Sequence, residues 1–320
     1  MKRTSIKRTQ TYRFGKPAAL ALILALILAA LTATACGNDE AKDADTDAGN
    51  APVRIGSKDF TENLILAELY ALALEDKGGL EVERDFSLAS SSVHTALVND
   101  EIDLYPEYTG TGLLSVLQLD LITDPQEVYD TVKAAYKEQF DLVWLEYARA
   151  NDGQGIAVTK EASDKYGIKT LSDLQRNAAN IRFASQGEFD EREDGIPALE
   201  AVYGPFDFLS SIVIDNALKY DTLLNGEADA SPAYTSEGQL TNPAFVLLED
   251  DKQVWPPYNI APVARAAVLE KYPQIEEILN AVDALIDTPA ITALNAEVDV
   301  DGKEYEEVAK AFYDSIKGTF

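Results

Sequence analysis

The 320-residue chain predicts an α/β fold, and three observations carry that prediction. Strand-like runs alternate with helix-like runs from residue 53 to the C-terminus. Val53-Arg54-Ile55-Gly56-Ser57 alternates as a short strand does, and apolar residues then crowd a helix from Leu64 to Leu74. The stretch from 53 to 320 is long enough for two domains of typical size or one large one.

The first 50 residues have a different character. Lys2, Arg3, Lys7, Arg8, Arg13 and Lys16 precede an uncharged apolar run, Ala18 to Leu31, and Ala33-Thr34-Ala35-Cys36 follows. A basic segment, a short apolar run and small residues read as an export signal, residues 1–35, because the run is shorter than the ~20 residues that cross a bilayer. Cys36 is the only cysteine, so no intrachain disulfide forms. Its setting resembles a bacterial lipobox, with Ala33 where Leu is usual, and implies a lipid on Cys36; a free thiol on a simply secreted protein is the alternative. Residues 36–52 hold Asp39, Glu40, Asp43, Asp45 and Asp47 among Ala, Gly and Asn, which predicts an acidic flexible tether. The formal net charge of −28 argues against nucleic acid as a partner.

Within the first α/β unit, Asp59 and Glu62 have the spacing of a capping box, which puts Lys58 where a strand ends and a helix begins. In open α/β sheets ligands bind at that edge. Glu81 to Phe86 is a second strand, and Ser90-Ser91-Ser92 can cap a helix through Val93, Ala96 and Leu97. His94 is the only histidine, so no multi-histidine metal site is possible, and we read it as packing. Ile102-Asp103-Leu104-Tyr105 leads as a strand into Pro106-Glu107-Tyr108-Thr109-Gly110-Thr111-Gly112, where two glycines permit close approach and two threonines can donate hydrogen bonds. The glycine spacing fits neither phosphate-loop pattern. No internal repeat is visible, and Gln274–Ile286 and Tyr305–Ile316 have helical periodicity.

Four segments in order resemble the substrate-binding proteins of glycine betaine, choline and carnitine ABC importers. They are Gly56-Ser57-Lys58-Asp59-Phe60-Thr61-Glu62, Tyr105 to Thr111, Phe183 to Gly195, and Trp255-Pro256-Pro257-Tyr258-Asn259. The resemblance implies a type II periplasmic-binding-protein fold, with two α/β lobes joined by two crossing segments and a ligand cleft between them. Lobe one would comprise 53–150 and 259–320, and lobe two 151–258.

A quaternary ammonium group accepts and donates no ordinary hydrogen bond, so a selective site surrounds it with aromatic faces. The resemblance places such a cage at Tyr108, Tyr234 and Tyr258, with the backbone carbonyl of Asp152 beside it. It places a ligand carboxylate against Lys58, Thr111 and Arg192, which favours a zwitterion over choline. One position departs from the pattern: Gln154 stands where a further cage tyrosine is usual. Gln154 would then hydrogen-bond a polar group on a different amine or imidazole betaine, or Tyr147 would swing in to close the cage. Tyr70, Tyr129, Tyr136, Tyr220, Tyr305 and Tyr313 lie in helix-like patterns and read as packing.

The implied protein is a monomeric lipoprotein on the extracytoplasmic face of the cell membrane. It captures a small zwitterion and delivers it to a permease and its ATPase. No cofactor and no metal are called for, and the chain lacks the Walker, GxSxG and HExxH patterns of enzymes. A ligand-sensing module of the same fold is an alternative. An enzyme on the same fold would have only Asp152 and Glu188 to offer as acid and base.

Overall fold

The computed structural model describes residues 51–191 and 194–320. The signal segment, Cys36 and the tether up to residue 50 lie outside the described residues, as does Arg192, and so does the Glu188 side chain. Among the described residues no helix is long and apolar enough to cross a membrane.

Ten strands form in the described part: β1 Val53–Lys58, β2 Val82–Leu88, β3 Leu104–Tyr108, β4 Leu142–Trp144, β5 Gln154–Thr159, β6 Arg182–Ser185, β7 Ser210–Val213, β8 Ala230–Tyr234, β9 Phe245–Leu247 and β10 Ile260–Arg265. They divide into two five-stranded sheets, β2-β1-β3-β10-β4 and β7-β6-β8-β5-β9. In each sheet three parallel strands are followed by two that join antiparallel.

The sheets repeat one another in detail. Arg54 on β1 donates both its backbone N–H and its Nε–H to Asp103 Oδ2, at 2.9 and 3.1 Å. Arg182 on β6 does the same to Asp229 Oδ2, at 2.9 Å in both cases. Both aspartates lie just before the next parallel strand, so one arginine–aspartate clasp sets each parallel crossover. This repeat is invisible in the sequence because it is carried by isolated polar pairs about 50 residues apart.

The helix Thr61–Asp76 is buried on nearly all sides, through Ile65, Leu66, Leu69, Tyr70 and Leu74, with helices Gln274–Asp283 and Tyr305–Ile316 packed against it. A helix without a solvent face is apolar all round. Its start differs from the expected capping box. The residue preceding it is Phe60, without a side-chain cap, while Asp59 accepts from Ser90 Oγ at 3.0 Å and Glu62 is buried. Ser92 does not cap the following helix either. In both places the polar side chains are drawn into tertiary contacts that the local pattern does not reveal.

The strand expected to end at Tyr105 runs on through Pro106 to Tyr108. Pro106 lies opposite Pro262 on β10, so two residues without an N–H face each other and no ladder donor is wasted. Their carbonyls accept from elsewhere, Pro106 from Asn63 Nδ2 at 2.8 Å and Pro262 from Leu145 N–H at 2.9 Å.

Two crossing segments join the sheets and bond to each other. Asn151 pairs antiparallel with Asn259, and the Asp152 N–H donates to the Tyr258 carbonyl at 3.1 Å. Asn151 Oδ1 accepts from the Tyr258 N–H at 2.6 Å, and Asn259 Nδ2 donates to the carbonyls of Ala148 and Ala150.

Candidate functional site

At the carboxyl end of β1, Lys58 is only 4% exposed and its ammonium pairs with Glu107. The sequence reading did not foresee Glu107 as its partner. The other bonds to Glu107 come from the Tyr105 hydroxyl and the Tyr108 N–H, both at 2.8 Å. The Lys58 ammonium also lies 4.8 Å from the centre of the Tyr108 ring. Phe60, partly exposed, tilts against that ring at 6.0 Å between centroids, an aromatic neighbour the sequence reading did not single out.

The Tyr108 hydroxyl donates to Glu62 at 3.0 Å. Burial, and then the charges of Glu62 and Asp152, push this phenol well above its ordinary range, so it stays protonated and the ring stays neutral. The two glycines that follow do permit close approach, but to the protein's own rings. A Cβ on Gly110 would stand 2.7 Å from the Tyr258 ring, and one on Gly112 would stand 2.8 Å from Trp144. Thr109 is spent on the crossing segment: its hydroxyl donates to the Pro257 carbonyl and accepts from the Asn259 N–H, both at 3.0 Å. Thr111 sits partly buried in the next helical turn.

On the second sheet, Gln154 and Tyr234 are direct cross-strand partners, the first residue of β5 and the last of β8. Gln154 Nε2 donates to Asp194 at 2.7 Å, and Tyr234 is 39% exposed. Here the arrangement around Lys58 recurs. Lys219 is 3% exposed and donates to Glu237 at 2.5 Å, while the Tyr220 hydroxyl and the Tyr234 N–H donate to the same carboxylate at 2.5 and 3.1 Å. The Lys219 ammonium lies 5.6 Å from the Tyr234 ring centre. Each sheet therefore presents one candidate tyrosine whose N–H is fixed by a glutamate, with a buried lysine over its ring. Neither glutamate was visible as a partner, since sequence separation does not show which acid meets which lysine.

The loop after Tyr234 is tied to the crossing segment. Thr235 Oγ1 donates to the Asn151 carbonyl and accepts from the Gly153 N–H, both at 2.8 Å, and Ser236 Oγ donates to Asp152 Oδ1 at 2.5 Å. Asn295, on the helix Thr288–Asp299, donates to Glu62 and to the Ser236 carbonyl, each at 2.9 Å. Burial foremost, and then the charge of Glu62, pushes the Asp152 carboxyl well above its ordinary range; burial raises Glu62 as well. Tyr108, Tyr234 and Tyr258 thus come from three segments bonded to one another around Asp152 and Gly153. The Tyr147 ring packs on Tyr129 at 4.9 Å between centroids, and its hydroxyl donates to Gln126 Oε1 at 3.3 Å.

A cavity of about 160 Å³ opens beside Gln154 and Tyr234, with Gln186, Phe189, Asn216 and Lys219 also lining it. A larger and more open depression of about 460 Å³ lies at the opposite strand ends, near Thr159, Arg182 and Asp229, away from every candidate residue. Among the described residues no group of acidic, histidine or cysteine side chains could hold a metal ion.

Residues 51–315 match the family described as the substrate binding domain of ABC-type glycine betaine transport systems. The chain belongs to this family. It is a family of extracytoplasmic transport receptors, not of enzymes, whose members bind a small ligand and work with a permease and an ATPase. The family member described as the glycine-betaine-binding protein of Pseudomonas aeruginosa is 32% identical over 270 residues, covering 81% of this chain and 86% of that one. The ergothioneine transport permease/ergothioneine binding protein of Helicobacter pylori is 32% identical over 268 residues, 83% of this chain; the chain spans only 48% of that longer protein. A crystal structure described as a glycine betaine/carnitine/choline ABC transporter superposes with a TM-score of 0.76 at 28% identity, covering 83% of this chain and 98% of that one. The two-lobed type II fold of the family is the fold of this chain.

Proposed function

We propose that this family member captures a betaine-like zwitterion outside the cell and hands it to a membrane permease. The lobes divide at 53–150 with 259–320, and 151–258. The trimethylammonium group sits among Tyr108, Tyr234 and Tyr258 beside the Asp152 carbonyl, and the carboxylate faces Thr111 and Arg192; Lys58, buried against Glu107 and 4.8 Å from the Tyr108 ring centre, acts on the site through that ring and not by direct contact. One observation carries the reading: the three tyrosines stand on three segments that hydrogen bonds gather around Asp152 and Gly153. Aromatic faces there attract a cation that no hydrogen bond can hold. The chain acts as a monomer, anchored by a lipid on Cys36.

A second reading, a receptor for an amine or imidazole betaine, draws on Gln154, which replaces an aromatic wall with an amide. The Helicobacter pylori relative, named for ergothioneine, supports it.

Isothermal titration with glycine betaine, proline betaine, carnitine, choline and an imidazole betaine tests the proposal. Binding of at least one carboxylated betaine, with choline silent, is the expected result. Binding of choline alone would remove the carboxylate contacts, and silence for all five would remove the betaine reading. Mass spectrometry of the membrane-bound protein tests the lipid; an unmodified Cys36 would refute it.

A further inference from the structure

We infer that Glu62 is a specificity-determining residue of the proposed cation site: it stands at the hydroxyl end of the Tyr108 ring as a neutral acid and becomes an anion when a cation binds, releasing one proton. The inference rests on the betaine reading and adds to it the charge that tells a cation from an uncharged group of the same shape.

Two carboxyl groups meet beside the crossing segments, and only neutral groups serve them. Glu62 lies on the helix Thr61–Asp76, and Asp152 follows the residue that pairs with Asn259. Glu62 Oε1 accepts from the Tyr108 hydroxyl at 3.0 Å, and Oε2 accepts from Asn295 Nδ2 at 2.9 Å. Asp152 Oδ1 accepts from Ser236 Oγ at 2.5 Å, and the same hydroxyl is within hydrogen-bonding reach of Glu62. A serine hydroxyl has one proton to donate. With that proton on Asp152, Ser236 meets Glu62 only as an acceptor, so Glu62 must bring a proton of its own. Asn295 adds another acceptor: its Nδ2 serves Glu62 and the Ser236 carbonyl, while its Oδ1 is buried and has no partner among the described residues. Glu62, Tyr108, Asn295 and Ser236 are each 3% exposed or less, so bulk water screens little here.

The surrounding charges oppose two anions at this place. Asp299 faces Glu62, and Glu237 faces both Asp152 and Asp299. Lys58 is near the Tyr108 ring but pairs with Glu107, and Lys219 pairs with Glu237. Among the described residues no cation acts on Glu62 or Asp152. The two acids therefore hold one negative charge between them until a cation arrives. A trimethylammonium group on the Tyr108 ring and beside the Asp152 carbonyl favours the second charge. The O–H bond of the Glu62 carboxyl breaks with its electron pair left on oxygen, and the proton passes to bulk water. The new anion accepts from the Tyr108 hydroxyl and so strengthens the negative face that the cation meets.

Calorimetric titration of the purified full chain in mild detergent, repeated in buffers of different ionisation enthalpy, counts the protons released per ligand. Glycine betaine is expected to release up to about one proton somewhere between about pH 5 and 8, with its apparent affinity rising by up to about tenfold per pH unit where release is largest. An infrared difference spectrum is expected to lose one protonated-carboxyl band when glycine betaine binds. The same excess of 3,3-dimethylbutanoate, which has carbon in place of the nitrogen, is expected to leave that band intact. Glu62→Gln keeps the size and the acceptor oxygen, and is expected to abolish both the release and the band loss while weakening glycine betaine roughly three- to thirtyfold. Binding of glycine betaine without proton release, release that persists in Glu62→Gln, or loss of the band with dimethylbutanoate would each overturn the inference and leave the betaine reading intact. The first and third of these are read on the unaltered chain, so they stand even where Glu62→Gln fails to fold. If glycine betaine does not bind the unaltered chain at any pH, the betaine reading fails and this inference falls with it.

Discussion

Gly110→Ala moves a candidate cage ring without deleting any ring. The new Cβ would stand 2.7, 2.8 and 2.9 Å from Cδ1, Cε1 and Cγ of Tyr258. Ordinary contact begins at 3.4 Å, so the ring must retreat by roughly 0.7 Å along one whole edge. Its backbone cannot follow easily, because the Tyr258 N–H is bonded to Asn151 and its carbonyl to the Asp152 N–H. The side chain must therefore turn, which costs about 1–3 kcal/mol of stability as overpacking. Turning also takes the ring face off any bound cation. A lost cation–π contact of about 0.5–2 kcal/mol weakens glycine betaine binding roughly two- to thirtyfold. Titration calorimetry reads the affinity and a thermal melt reads the stability. Gly318→Ala serves as the control, since a Cβ there meets nothing within 4 Å. Unchanged betaine affinity in Gly110→Ala, alongside a lowered melting temperature, would remove Tyr258 from the site.

Gln154→Tyr restores the missing wall and should strengthen glycine betaine binding by about 0.5–2 kcal/mol; a loss of affinity by calorimetry would assign Gln154 to a different ligand group. Gly238→Ala would drive a Cβ to 2.5 Å from the Ala296 backbone nitrogen on the helix Thr288–Asp299, so denaturant unfolding should show a loss of about 1–3 kcal/mol, and an unchanged midpoint would contradict that contact. Stability should peak in mild acid. Burial raises the carboxyls of Glu62, Asp152 and Asp283, so their contribution is present below the ordinary carboxylate pKa near 4 and is lost as pH rises through the raised values. Burial works against Asp103 and Asp229 too, yet the hydrogen bonds from Arg54 and Arg182 hold both below the usual range, so their contribution is lost as pH falls through the lowered values. Melting temperatures that climb steadily from acid to about pH 8 would contradict this balance. Glu107→Gln should weaken glycine betaine several-fold, by calorimetry, although Glu107 itself faces the protein interior; an unaltered affinity would show that Lys58 does not act on the ligand site.

The α/β class and most elements were legible in the sequence, because strand and helix periods differ and each recurs along the chain. Tyr305–Ile316 is found where its pattern places it, and β1 extends one residue past its pattern. The candidate tyrosines were reachable only through ordered motifs, since nothing local distinguishes Tyr258 from Tyr136, which is buried core. Three things stayed hidden, all for one reason. The partner of Lys58, the partner of Lys219 and the doubled arginine–aspartate clasp are pairings of residues brought together by sheet topology. Asp59 and Glu62 show the converse: their spacing suits a cap, but tertiary partners for both outcompete it.

The repeated lysine–glutamate–tyrosine unit has an electrostatic consequence for the proposed cation site. Lys58 stands 4.8 Å from the ring centre of Tyr108, and Lys219 stands 5.6 Å from that of Tyr234. A ligand cation on the opposite face of Tyr108 would be about 9 Å from the Lys58 ammonium, and at an effective dielectric near 20 two such charges repel by about 2 kcal/mol. That matches the most a tyrosine face returns, about 0.5–2 kcal/mol, so an unpaired lysine would cancel the ring's attraction. The glutamates decide the balance. Glu107 touches Lys58 and Glu237 touches Lys219, so each lies at nearly the same distance from the ligand as its lysine and opposes the repulsion almost fully. Burying such a pair costs several kcal/mol per ion unless other groups satisfy the carboxylate. In both sheets a tyrosine hydroxyl and the candidate tyrosine's own N–H do so. The same carboxylate thus neutralises the lysine and fixes the backbone of the ring beneath it, so that charge balance and ring position cannot be separated at either tyrosine.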